Sequence, residues 1–419
     1  MKIISDLHIH GRFSRATSNQ LSIANLEKYA RIKGLNLLGA GDFTHPEWIK
    51  ELKENLKEDS SGILKTKTGF PFILQTEISS IYTDNGKGRK VHNVILAPNF
   101  EVVGQITDFF KSRGRVDYDG RPIFKLPCPE LVESMRKISE DIEIIPAHVW
   151  TPHFGLFGSN GGFDSVEECF KDQAKHVHAL ETGLSSDPAM NWRLSKLDRF
   201  ALVSFSDLHS FWPWRIGREA TIFDIELSYK NLINALRTKE GLKGTVEVDP
   251  SYGKYHFDGH RNCKICMNPK DSLKIKNICP KCGRQLTIGV LHRVEELADR
   301  KEGFKPKDAK EFYSLIPISE IISALINSPV ASKNTWKIYN DLIKKFGNEF
   351  NVLLEAKKED LMKVSDEKIA DAILKNREGK ILIQPGFDGE YGKPLFSKKD
   401  KLEAKIEKPK FEQKGLGDF

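Results

Sequence analysis

The sequence predicts an α/β fold, a mostly parallel sheet or barrel that carries a four-cysteine ribbon and then a small helical C-terminal domain. Three observations lead there. Short apolar runs alternate with amphipathic stretches from Met1 to about Val248. The composition then shifts to a segment rich in Gly, Asn and Cys. Beyond it, apolar residues recur at helical spacing over Ser314–Arg377.

In chain order, the strand-like runs are Lys2–Ile4, Leu35–Ala40, Phe72–Glu77, Val91–Leu96, Ile142–Pro146, Ala179–Glu181, Ala201–Phe205 and Thr221–Ile225. Leu21–Lys33, Pro46–Lys57, Pro129–Glu140, Val166–Lys175 and Tyr229–Thr238 have helical periodicity. This alternation is the pattern of βαβ units. After the cysteine segment, Ile318–Ile326, Thr335–Lys345, Val352–Ala356, Asp360–Lys363 and Asp366–Lys375 read as helices, with Ser365 as a cap. Ile381–Ile383 adds a strand, and Pro385–Gly392 is a glycine-rich turn region. From Ser397 the chain is dominated by Lys and Glu, the composition of a flexible tail. The expected division is 1–248, 249–300, 301–396 and 397–419.

Composition bounds the function. The 419 residues suffice for two or three domains. No run approaches the roughly 18 apolar residues of a membrane span. The N-terminus enters a strand at once, without a secretory signal, so a cytoplasmic, nucleoid-associated protein is expected. The net charge of +7 fits a polyanionic partner as well as a solvated surface. Abundant Lys, Glu and Ile with few Gln point to a thermophile. Four of the six cysteines fall within Cys263–Cys282, with Cys128 and Cys169 alone. That is a metal pattern of a reducing compartment, not a disulfide framework.

The tetrapeptide Ser-Asp-Leu-His occurs twice, at Ser5–His8 and Ser206–His209, each after an apolar run. On a strand, residues i and i+2 point the same way, so the first copy aims Asp6, His8 and His10 together and the second aims Asp207 and His209. Asp42, His45, Glu77, His92 and His148 also stand at or near strand ends. One such His is more often a satisfied surface residue than a ligand. Nine imidazoles and carboxylates in this position, His8, His10, Asp42, His45, Glu77, His92, His148, Asp207 and His209, indicate a multinuclear site for Zn²⁺, Mn²⁺ or Fe²⁺. Ions that share carboxylates can clamp a phosphoryl group and activate water. Asp207, His8, His10, Glu77, His148 and His209 are the expected catalytic subset.

These motifs resemble the PHP (polymerase and histidinol phosphatase) family. The match lies in His8-Ile9-His10, the Asp42–His45 region, Pro146-Ala147-His148 and Ser206-Asp207-Leu208-His209, with Glu77 and His92 between them. The resemblance implies a distorted (β/α)7 barrel with a multinuclear metal site. The stretch Gly11–Ala16 lacks the further ligand that the family often places there.

Cys263-x2-Cys266 and Cys279-x2-Cys282 have the spacing of a closed tetrahedral Zn²⁺ site, structural rather than catalytic. His256 and His260 are read as non-ligands, because four thiolates fill the sphere. The loop Trp150–Phe163 is rich in aromatics and glycine, and Phe211–Arg215 follows His209. Aromatics beside arginines can stack on bases; the bland alternative is a minicore bracing the ligands. Arg12, Arg15, Trp150, His153, Phe154, Ser159, Asn160, Trp212, Trp214 and Arg215 are the candidate DNA- and base-binding residues, and Arg218 is a further phosphate clamp. At the C-terminus, Gln413, Leu416 and Phe419 resemble the short motif that docks on replication sliding clamps (PCNA).

The arrangement as a whole resembles the archaeal endonuclease Q family. The specific matches are Gly-Asp-Phe-Thr-His-Pro (41–46), Tyr-His-Phe-Asp-Gly-His-Arg-Asn-Cys (255–263) and Val-Leu-His-Arg-Val-Glu-Glu-Leu-Ala-Asp-Arg (290–300). The resemblance implies a metal-dependent DNA repair endonuclease; a monomer is the expected state. It implies cleavage 5′ of a deaminated base (hypoxanthine, uracil, xanthine) or an abasic site, with the damaged nucleotide flipped out. Zn²⁺ is the expected ion in the ribbon and at the catalytic site, with Mg²⁺ or Mn²⁺ as catalytic alternatives. Two other readings remain: a small-molecule phosphatase of the histidinol-phosphate type, and a non-catalytic DNA-binding scaffold.

Overall fold

The computed structural model describes residues 2–396. Seven strands form a ring: β1 (Lys2–Asp6), β2 (Leu37–Gly39), β3 (Pro71–Asp84), β4 (Lys87–Ala97), β5 (Glu143–Pro146), β6 (Ala179–Glu181) and β7 (Ala201–Val203). The pairs β1–β2, β2–β3 and β6–β7 are parallel, whereas β3–β4 and β4–β5 are antiparallel. The ring is distorted. Between β5 and β6 it is spanned by the Val149 N–H to Glu181 carbonyl bond, 3.0 Å. It closes just past β7 and β1, where Ile9 bridges Leu208 and the His10 N–H donates to the Leu208 carbonyl at 3.1 Å. Ile3, Leu37, Ile73, Val94, Ile145, Ala179 and Val203, one from each strand, belong to a single buried cluster. The interior is therefore packed, and most of the polar donors stand at the strand ends, with Glu77 in the middle of the long β3 an exception.

The sheet is mixed rather than mostly parallel. The reason is the long β3–β4 hairpin, whose turn Asn85-Gly86 takes positive φ at both positions (49° and 74°). That is the geometry that Asn-Gly supplies to a two-residue hairpin, and a hairpin turn forces antiparallel pairing. Two more strands extend the sheet beside β1: β8 (Ala220–Asp224), antiparallel to β1, and β9 (Leu242–Glu247), antiparallel to β8. Leu242–Glu247 was not expected as a strand.

The barrel helices include α1 (Ile23–Lys33), α2 (Pro46–Asn55), α3 (Phe100–Lys111), α4 (Cys128–Ile138), α5 (Val166–Phe170) and α6 (Tyr229–Thr238). Their starts are marked by side-chain caps. Ser22, Asn99, Ser165 and Ser228 each accept a backbone N–H of the first turn. The helix α3 was absent from the sequence expectation although Asn99 caps it.

Beyond β9 come the hairpin β10 (Asp258–His260) and β11 (Ile265–Met267) and the helix α7 (Val290–Leu297). Next, β12 (Glu311–Ser314) returns to pair in parallel with β9. A segment expected in the helical domain thus completes the barrel sheet and covers the edge that β9 would expose. The helices α8 (Ile318–Leu325), α9 (Lys333–Phe346), α10 (Glu349–Leu354) and α11 (Glu367–Arg377) follow. They dock on α1 through a buried ion pair, Lys33 Nζ to Glu349 Oε1 at 2.9 Å. Glu349 also accepts from the Ile318 N–H (3.0 Å) and the Tyr339 hydroxyl (2.8 Å).

Candidate metal centre

The exits of β1 and β7 meet, so the two copies of the tetrapeptide lie side by side. They do not play the same part. The Asp6 carboxylate accepts from the Ser206 N–H (3.0 Å), the Ser206 hydroxyl (2.5 Å) and the Gly217 N–H (2.9 Å). Asp6 therefore faces the frame and not the site that His8 and His10 enter. Regular strand geometry ends at Asp6, and with it the alternation that would have aligned the three. Burial pushes Asp6 up to about 6, against the bonds from Ser206.

Glu77, at the middle of β3, stands between two groups of donors. Its Oε2 lies 3.5 Å from His8 Nε2 and 3.2 Å from His10 Nε2. Asp207 Oδ1 faces the same imidazoles at 3.7 and 3.1 Å. Glu77 Oε1 lies 2.8 Å from His92 Nδ1 and 3.2 Å from His148 Nε2. Within each group, His8–His10–Glu77–Asp207 and Glu77–His92–His148, one donor atom per residue lies within 4.8 Å of all the others. One carboxylate is shared by both, the arrangement of a bridging ligand between two cation positions.

Three of the imidazoles are oriented from behind. The Nδ1–H of His8 donates to the Glu181 carboxylate at 3.0 Å, that of His10 to Asp42 Oδ1 at 2.9 Å, and that of His148 to the Thr151 hydroxyl at 2.9 Å. Each ring then presents Nε2, with its lone pair, to the centre. His8 Nε2 is buried and makes no hydrogen bond, a desolvated acceptor that a cation would satisfy. The outer partners are of the kind that fix tautomer and basicity in metal sites.

The electrostatics agree. Burial opposes the charge on Glu77, yet His92, Arg121 and His8 hold it well below the ordinary carboxylate range. Burial likewise disfavours a proton on His8 and His10, but Glu181 and Glu77 raise the first, and Asp42 and Asp207 the second, well above the ordinary imidazole value. Burial, only partly offset by Glu77, takes His92 down to about 4. Buried carboxylates demand positive charge here, and protons supply it when cations do not.

The remaining expected ligands are placed differently. Asp42 spends one oxygen on His10 and the other on the Gly11 N–H (2.6 Å) and the Ser14 hydroxyl (2.8 Å), so it stands behind His10. His45 precedes α2 and stacks on Phe13 at 4.6 Å, in neither donor group. His209 packs against His10 at 4.7 Å and gives its Nδ1–H to the Asp207 carbonyl (2.9 Å), beside the first group. Asp42, His148 and Asp207 all adopt positive φ, 37°, 31° and 47°, a strained backbone concentrated at the strand exits. Two residues escaped the sequence reading, Glu181 and Arg121. Glu181 ends a strand like the ligands, which is a legible signal. Arg121, whose Nη1 is 3.2 Å from Glu77 Oε2, follows no strand.

A cavity of about 380 Å³ opens on this centre, lined among others by Arg15, His153, Phe154, Arg121 and Asp207. Phe154 stacks on His92 at 4.3 Å. His153 meets Asn160 Nδ2 at 3.0 Å through its Nδ1, while Ser159 and Asn160 are exposed. The other candidates lie elsewhere. Trp150 is buried and donates to Asn191 Oδ1 at 2.8 Å. Trp212 and Trp214 stack in parallel at 5.4 Å against Trp336 of α9, bracing the barrel on the helical domain. Arg12 is paired with Glu51 at 2.7 Å. Arg15 is mostly exposed, with Nε 3.4 Å from Asp119 Oδ2. Arg215 is half-buried, and Arg218 donates to the Ser206 carbonyl at 3.3 Å.

In the ribbon, Cys263, Cys279 and Cys282 gather with His260, not with Cys266. His260 Nδ1 lies 3.3 Å from Cys282 Sγ. Cys266 pairs with Gly259 across the β10–β11 hairpin, one residue out of step with His260, so alternation sends its thiol to the opposite face. It ends 3.9 Å from the Pro385 carbonyl. Three thiols and an imidazole remain a tetrahedral zinc set, and in this arrangement His260 takes the place expected for Cys266.

Gln413, Leu416 and Phe419 lie outside the described residues. Among the described residues, no helix is long and apolar enough to cross a membrane.

Comparison with known proteins adds five findings. Residues 317–380 match the MJ0043 C-terminal domain family. The protein MJ0043 of Methanocaldococcus jannaschii is 38% identical over 254 residues, 59% of this chain but 31% of that protein, so the match spans about a third of that relative's length. YqxK of Bacillus subtilis is 30% identical over 413 residues, 94% of this chain and 99% of that protein. Among solved structures, the lesion-specific endonuclease PfuEndoQ of Pyrococcus furiosus superposes with a TM-score of 0.85 at 31% identity, over 97% of this chain and 98% of that one. Endonuclease Q in complex with a 27-mer duplex bearing an abasic lesion at the active site gives 0.85 at 30%, with the same coverage.

Proposed function

The chain belongs to the endonuclease Q family, and from that premise we propose that it is a metal-dependent DNA repair endonuclease. It hydrolyses the phosphodiester on the 5′ side of a deaminated base (hypoxanthine, uracil or xanthine) or of an abasic site. The observation that carries this reading is the carboxylate of Glu77, shared by two donor groups at the edge of a cavity of about 380 Å³.

The donor set fits divalent ions. His8, His10, Glu77 and Asp207 would hold one, and Glu77, His92 and His148 a second. When bound, such ions neutralise phosphate charge and lower the pKa of water. The chain's own residues do the rest. Glu181, Asp42 and Thr151 fix the tautomers of His8, His10 and His148 by taking their Nδ1–H. The cavity has the volume of a small-ligand site, enough for one extruded base. Phe154 and His153 offer it an aromatic wall, and Arg15 at the rim meets the neighbouring backbone. A deaminated base pairs weakly and costs little to extrude, which favours damage over intact DNA. Zn²⁺, Mn²⁺ and Mg²⁺ are the candidate ions, and the terminal Gln413, Leu416 and Phe419 are assigned to a sliding clamp.

The test is a nicking assay on labelled duplexes bearing inosine, uracil, an abasic site or no lesion, with each metal and with chelator. Cuts confined to the 5′ side of lesions, and lost with chelator, support the reading. No cut on any lesion duplex would refute it.

A further inference from the structure

Arg121 sits on the turn Asp119-Gly120-Arg121, which is anchored on several sides. The Gly120 N–H donates to the Phe13 carbonyl at 3.2 Å, the Arg121 N–H to Asp119 Oδ1 at 3.2 Å, and the Ser79 N–H to the Pro122 carbonyl at 3.1 Å. A Cβ at Gly120 would fall 2.3 Å from both Asp42 Oδ2 and Ser14 Oγ. The turn is thus pressed against the carboxylate behind His10, and only glycine permits it. This delivers the guanidinium to the centre on a rigid support. Nη1 reaches Glu77 Oε2, the oxygen that also faces His8 and His10, while the side chain stays 24% exposed along the cavity wall.

A guanidinium carries five N–H donors, and Glu77 takes one. Donors remain for a phosphate arriving from the cavity, in the forked geometry that suits phosphate oxygens. Arg15, 70% exposed, is too solvated for that part.

We propose that Arg121 is a catalytic residue of this centre, binding a non-bridging oxygen of the scissile phosphate. The proposal rests on the endonuclease reading above. In the hydrolysis a water oxygen forms a bond to phosphorus as the P–O3′ bond breaks. The 3′-oxygen leaves with the bonding pair and takes up a proton. Arg121 holds the negative charge of the phosphate oxygens through that exchange, a preorganised donor where charge develops.

The experiment uses the full chain and its R121K and R121Q variants on an abasic-site duplex with Mn²⁺. It measures single-turnover cleavage at saturating enzyme, DNA affinity by anisotropy, bound metal and Tm. R121Q is expected to slow cleavage by about 10²–10³-fold, with metal content and Tm unchanged and R121K in between. A phosphorothioate at the contacted oxygen slows the parent and adds little to R121Q. Cleavage by R121Q within about threefold of the parent overturns the proposal. So does loss of metal in step with loss of rate, which would make Arg121 a positioning residue for Glu77. Failure of the parent itself to cut would instead strike the endonuclease reading.

Discussion

Asp6 and Ser206, 200 residues apart, are joined by two hydrogen bonds through one buried carboxylate. This contact sets the exit of β1 against the exit of β7 and so brings His8 and His10 to Asp207. Asp6→Ala would leave the Ser206 and Gly217 donors buried without partners, at about 1–3 kcal/mol each. Denaturant unfolding is expected to register a loss of several kcal/mol, and unchanged stability would remove Asp6 from this role.

The same carboxylate makes stability depend on pH. Folded Asp6 keeps its proton up to about 6, against the 3.8 of a free aspartate. Folding therefore takes up a proton between those values, and the fold weakens as pH rises through that window, by about 3 kcal/mol in all. The contribution is complete below about 4 and gone above about 6. Unfolding free energies of the parent and Asp6→Asn at pH 4.5 and pH 7 check this, since the variant should lose that part of the slope.

Asp207→Ala should abolish nicking while duplex binding persists, because Asp207 serves the centre and Asp6 the frame. Glu77→Gln should cost both ion positions, as its two oxygens face separate groups. Glu181→Gln acts from behind, on His8 and on the His148 N–H that Glu181 accepts at 2.7 Å, and should weaken metal affinity by about 10–100-fold. Metal analysis after dialysis separates the three. Full metal content in Glu77→Gln would dismiss the shared carboxylate.

In the ribbon, Cys279→Ser and His260→Ala should lose zinc, whereas Cys266→Ser should keep it. Zinc counted per chain on the full protein decides the ligand set. Equal loss in Cys266→Ser would restore the four-cysteine site.

The Lys33–Glu349 pair, both side chains at most 2% exposed, ties the barrel to the helical domain. Lys33→Met leaves Glu349 charged and buried, and a loss of about 3–5 kcal/mol is expected. Lys33→Met with Glu349→Gln should recover part of it. Thermal unfolding of the two variants would disprove the link if neither moved.

Much of the centre was readable from position alone. His8, His10, Glu77, His148 and Asp207 are polar residues in or just beyond apolar strands, where a packed barrel interior leaves them one direction to face. The hairpin turn Asn85-Gly86 and the cap Asn99 were also in the sequence, although the antiparallel β3–β4 pair and α3 were not drawn from them. Asp42 and Asp6 could not be told from ligands by spacing, because whether a carboxylate meets a cation or an N–H depends on what the neighbouring strand presents.

The sequence by itself determined the layered α/β architecture and the pool of imidazoles, carboxylates and thiols from which the donor groups are drawn, since periodicity and side-chain chemistry are local properties. Only the tertiary structure decided that Glu77 faces two groups, that Glu181 stands behind His8 across 173 residues, that Arg121 enters from a turn and that His260 rather than Cys266 gathers with the other three cysteines. Those outcomes depend on strand register and on which face a side chain takes. One residue of slip reverses the face, and no local pattern encodes it.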